Sequence, residues 1–68
     1  MKQVSGKGFA RIVQKRGWVL KRIHGSHHVF TKEGCQERVV IPIHANRPWR
    51  IGLLKHQMKI AGVMESDL

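Results

Sequence analysis

Acidic residues are what this chain most lacks: four Asp and Glu stand against 13 Lys and Arg, and none precedes Glu33. A surface built only for solubility mixes both signs, so this shortage argues against an inert exterior and for a polyanionic partner. The formal net charge is +9, and eight of the 13 basic residues fall in the first 32 positions. Nucleic acid is the favoured partner, ahead of an anionic membrane surface or an acidic protein. The shortage also leaves no carboxylate cluster to hold a metal ion. No Asp or Glu is placed to act as an acid–base group.

Cysteine is nearly absent as well. The single Cys35 excludes an intramolecular disulfide and reads as an incidental free thiol in a turn. His24, His27, Cys35 and His44 match no known ligand spacing, so no metal and no small-molecule cofactor is expected. Apolar runs last only a few residues, which excludes a membrane span. Nothing at the amino terminus resembles a signal peptide, and a cytoplasmic protein is expected. No repeat or low-complexity segment is visible.

What remains is one small domain over residues 1–68. At this length the core is modest and stability marginal, but 41% hydrophobic residues suffice for a globular fold rather than a disordered tail. Ser5 is a plausible helix N-cap, and Phe9, Ile12 and Val13 recur at the spacing of one helical face. Lys15 and Arg16 suit the end of that helix, which spans about 10 residues and closes at Gly17. Gly6 and Gly8 weaken its first turn.

Trp18 to Ile23 reads as a first strand, His24-Gly25-Ser26 as a tight turn, and His27 to Thr31 as a second strand. A turn through Lys32-Glu33-Gly34 leads to a third strand, Arg38 to Ile43, with Val39, Ile41 and Ile43 on one face. Pro42 cannot donate to a ladder, so this strand belongs at a sheet edge or ends there. Residues 45–50 form a loop, and Leu53, Leu54, Met58, Ile60 and Ala61 suit a second helix ended by Gly62. The tail from Met64 is expected to fray. The fold class is α+β: an α-β-β-β-α two-layer domain, its three-stranded antiparallel sheet carrying both helices on one face.

The residues with chemistry lie in Gly25-Ser26-His27-His28-Val29-Phe30. If Phe30 enters the core, His28 shares its side and His27 faces outward with Val29 and Thr31. His27 follows a turn whose amides and hydroxyl suit a phosphate. Lys21, Arg22 and Arg47 are further candidates for phosphate contact, with Gly25 and Ser26. His24 and His44 flank strands and read as solvated. Trp18 and Trp49 read as core and rim anchors rather than base-stacking platforms.

Taken in order, Gly17-Trp18, Gly25-Ser26-His27 with an aromatic at position 30, Pro42-Ile43-His44 and Lys59-Ile60-Ala61-Gly62 resemble the HicA (YcfA-like) toxins of prokaryotic toxin–antitoxin pairs. The resemblance runs from about Ser5 to Val63. Two positions depart from it: Thr31-Lys32 stands where many members have His-Pro, and Ile51-Gly52 where Pro-Gly is frequent. Membership implies a double-stranded-RNA-binding-domain-like fold, cleavage of mRNA, and a small acidic HicB-like antitoxin as partner. It also carries the family's catalytic histidine, the one directly after Gly-Ser, onto His27.

RNA supplies its own nucleophile, the 2′-hydroxyl, so such an enzyme needs no metal. Histidine, with an ordinary pKa of about 6.5, can take or give the protons. His28 is either a second acid–base group or a structural residue, with water as the remaining donor. Two functions therefore stand: an endoribonuclease toxin acting through His27, and a non-catalytic RNA-binding module in which the same turn only contacts phosphate.

Overall fold

Ser5 begins the first helix as its position suggests, its Oγ accepting the Gly8 N–H at 3.1 Å. In the computed structural model, which describes residues 3–44 and 47–68, helix α1 spans Gly6–Lys15. Strands β1 (Val19–His24), β2 (His27–Thr31) and β3 (Val39–Pro42) follow, then helix α2 (Ile51–Ala61). The expected part of the 45–50 loop at Ala45 and Asn46 lies outside the described residues.

The three strands form one antiparallel sheet in the order β1-β2-β3. Phe9 and Val13 of α1 and Leu54 and Met58 of α2 share a core with Phe30, Val39 and Ile41. Both helices thus cover the same sheet face, and the domain is α+β as its pattern predicts. Trp18 anchors the far end, donating its buried Nε1–H to the Ala61 carbonyl at 3.1 Å. Burying an indole is favourable only when its N–H finds an acceptor, and this one ties α2 back to the start of β1.

β3 is the sheet edge that Pro42 requires. The Val40 carbonyl accepts a hydrogen bond from Gln57 Nε2 at 2.9 Å and so faces away from β2. Backbone groups alternate along a strand, so the Pro42 nitrogen also faces outward, where a missing N–H breaks no ladder bond. The strands differ slightly from expectation. β1 begins one residue later and includes His24, and β3 is one residue shorter at each end. Ile43 still donates its N–H to the Ser26 carbonyl at 2.8 Å, extending the pairing without a further strand residue.

The tail corrects the expectation of fraying. Residues Glu65–Asp67 form a 3₁₀ turn, and Met64 donates its N–H to Asp67 Oδ2 at 2.8 Å. Arg16, at the end of α1, lies 3.5 Å from Asp67 and donates to the Gly62 carbonyl at 3.0 Å. The partner that orders this tail, Arg16, is about 50 residues away in sequence, which is why local composition did not reveal it.

Gly6 has a packing role that its low helix propensity hides. A Cβ there would overlap the Pro42 carbonyl oxygen, so only glycine lets α1 sit this close to β3. A Cβ at Gly8 would meet the Ser5 Oγ and a Val4 methyl at ordinary distances of 3.4 and 3.6 Å. Gly6→Ala should therefore cost about 1–3 kcal/mol through overpacking. Gly8→Ala should be neutral or gain up to about 1 kcal/mol, since alanine favours helix. Urea denaturation of the two variants checks this, and equal midpoints would remove the packing role.

Candidate active site on the outer sheet face

The β1–β2 connection has only two residues, Gly25 and Ser26, and Gly25 takes φ +57. A two-residue hairpin loop makes its flanking residues direct cross-strand partners, here His24 and His27. Phe30 is 2% exposed and pairs with Val39, and His28 pairs with Ile41; both partners are fully buried. His28 and Phe30 therefore belong to the inner, helix-covered side. His27 points the other way and is exposed.

Alternation along β1 decides what accompanies it. Arg22 pairs with Val29 and His24 with His27, so Arg22 and His24 stand on the outer face beside His27. Lys21 sits where the β1–β2 register shifts between Leu20 and Arg22. One corner of the outer face thus gathers two imidazoles and a guanidinium, all exposed. Opposed side chains on an antiparallel pair have Cβ atoms about 4.5–5.5 Å apart, close enough for both rings to reach one phosphate.

The turn beneath them is fixed from the strand side. The Ser26 carbonyl accepts the Ile43 N–H at 2.8 Å, and His28 Nδ1 lies 3.4 Å from that same oxygen. His28 is half-buried under the turn, on the sheet face opposite His27. Arg47 is exposed and stands apart, on the connection beyond β3.

The residue that sequence reading passed over is His24, taken there as a solvated flank. It is solvated, but it is also the partner of His27. The signal was present in the spacing, because a turn of only two residues forces the residues at either end to face each other. Among the described residues no three His, Cys, Asp or Glu come together as metal ligands, and Cys35 is a free, exposed thiol.

The model of the family described as the HicA toxin of bacterial toxin–antitoxin systems matches residues 6–63, from the first residue of α1 to just past the end of α2. This chain belongs to the HicA toxin family. The match takes in both helices, the whole sheet and the His24–His27 hairpin. A HicA protein is the toxin of a toxin–antitoxin system, and an antitoxin is its partner. No curated protein matches the chain. No helix among the described residues is long and apolar enough to cross a membrane.

Proposed function

We propose that this HicA toxin is a metal-independent endoribonuclease that cleaves mRNA in the cytoplasm, with His27 and His24 as its proton-handling pair. The observation that carries the reading is the cross-strand pairing of those two histidines on an exposed face beside Arg22. RNA brings its nucleophile with it, so the protein has only to move two protons and steady one charge. One histidine accepts the proton of the 2′-hydroxyl as that oxygen attacks the adjacent phosphorus. Arg22 stabilises the charge gathered on the phosphorane oxygens. The other histidine gives a proton to the departing 5′-oxygen.

The products are a 2′,3′-cyclic phosphate and a 5′-hydroxyl, and the protein ends with one proton exchanged between its two imidazoles. Gly25 and Ser26 approach the backbone of the RNA, while Lys21 and Arg47 attract it. The family supports His27 as the essential residue. The geometry supports His24 over His28 as its companion, because His28 lies half-buried on the inner side.

The alternative is a module that binds RNA without cutting it. The test is incubation of the purified protein with RNA, followed by analysis of the ends. Cleavage should persist in excess EDTA and yield cyclic-phosphate and 5′-hydroxyl termini, and binding should weaken with salt as counterions are released. Intact RNA after prolonged incubation would leave the binding module. Loss of cutting in EDTA, restored by magnesium or zinc, would end the metal-free mechanism.

A further inference from the structure

Beyond the edge of β3 lies a cavity of about 220 Å³ lined by His44, Arg47, Pro48, Trp49, Arg50 and Leu53. Its walls are apolar, from Pro48, Trp49 and Leu53, while His44, Arg47 and Arg50 are exposed around it. Flat apolar walls with cations at the mouth suit an aromatic ring that carries an anionic tether. The volume is below the roughly 300–1,000 Å³ of clefts that enclose drug-sized ligands, so a single ring system fits better than a larger molecule.

Trp49 is held firmly enough to serve as a wall. Its ring packs on Phe9 with centroids 5.1 Å apart, and its Nε1–H donates to the Pro42 carbonyl at 3.3 Å. Its backbone N–H donates to the Val4 carbonyl at 2.7 Å. Such a platform loses little freedom when a base stacks on it. Its anchor also fixes its place: Pro42 is the cross-strand partner of His27. The Pro42 carbonyl that anchors it faces away from β2, so the cavity lies beyond the β3 edge, with the width of that strand between it and the histidine corner.

We infer that this cavity holds one unpaired nucleobase of the RNA, some nucleotides along the strand from the phosphate at His27, stacked against Trp49 with its backbone steadied by Arg47 and Arg50. The inference rests on RNA being the ligand of the histidine corner. It adds that the bound RNA is single-stranded at that nucleotide, since a paired and stacked base could not enter.

The experiment compares two short oligomers of equal length, both 2′-O-methylated so that the blocked nucleophile prevents cleavage. One carries its bases and the other is abasic. Stacking of one base is worth about 1–3 kcal/mol, so the wild-type protein should bind the base-bearing oligomer roughly 5- to 150-fold more tightly. The Trp49 indole N–H resonance should move with that oligomer and not with the abasic one. Leu53→Trp, which fills the cavity, should lower affinity for the base-bearing oligomer to the abasic level and leave the abasic affinity unchanged. The wild-type comparison stands without the variant if Leu53→Trp fails to fold.

Equal affinities and an unmoved Trp49 resonance would overturn the inference. So would equal affinities with a Trp49 resonance that responds only to the antitoxin, which would assign the cavity to a protein. Cleavage of ordinary RNA is scored separately. Cutting without base dependence removes the cavity's role alone, whereas base dependence without cutting removes the nuclease reading and leaves the cavity standing.

Discussion

His27→Ala should lose RNA cleavage by at least about 10²-fold, the usual effect of removing an acid–base group, while the protein should remain folded and still bind RNA. The fold should survive because His27 is exposed on the outer sheet face and no core residue rests on it. Binding should survive because the 13 Lys and Arg are untouched. His24→Ala should also impair cutting, and in a distinctive way. An enzyme with one base and one acid has a bell-shaped pH–rate profile, and loss of either partner removes one limb. His28→Ala should cost less activity and more stability, since its half-buried ring lies 3.4 Å from the Ser26 carbonyl beneath the turn. Single-turnover rates of the three variants across pH, with circular dichroism of each, decide the matter. A His27→Ala protein that cuts at the wild-type rate beside an inactive His28→Ala would move the chemistry to the inner face. A bell that survives His24→Ala unchanged would return the second proton transfer to water.

The sequence disclosed the elements whose cause is local. Ser5 caps a helix through its own hydroxyl, and Phe9 and Val13 share a face because a helix turns every 3.6 residues. The parity of β2 followed from one large apolar residue, Phe30, and fixed both histidines at once. Pro42 announced an edge because an imino nitrogen cannot sit inside a ladder. What stayed hidden depends on partners distant in sequence. Gly6 looked like a weak start to a helix, yet the Pro42 carbonyl occupies the space where a side chain would stand. The tail looked loose because its partner, Arg16, ends the first helix. The cavity beside Trp49 was equally invisible, since Trp49 is held in place as its wall by Phe9 and the Pro42 carbonyl. His24 is the exception: its pairing is local, because a two-residue turn makes the residues at either end cross-strand partners.

The antitoxin should abolish cleavage by covering the same corner. A toxin with a net charge of +9 is best neutralised by a surface of opposite sign. Complementary fields speed association and place the inhibitor in direct competition with RNA. A small acidic, HicB-like partner is therefore expected, with its bound surface over His27 and the Gly25-Ser26 turn. Charge alone would make a salt-sensitive complex. The chain also offers apolar area on the same face, because Val19 of β1 and Val40 of β3, which pair with Thr31 and Val29, are exposed. Together these can supply an interface of the standard size, roughly 1,200–2,000 Å² in total. Raising the salt should slow association more than it speeds dissociation. The measurement is titration of the partner into the cleavage assay, with amide exchange followed along the toxin. Complete inhibition near equimolar partner, with protection concentrated at residues 24–30, is the expected result. Tight binding that leaves this segment exchanging freely and RNA cutting undiminished would show that neutralisation works from another face.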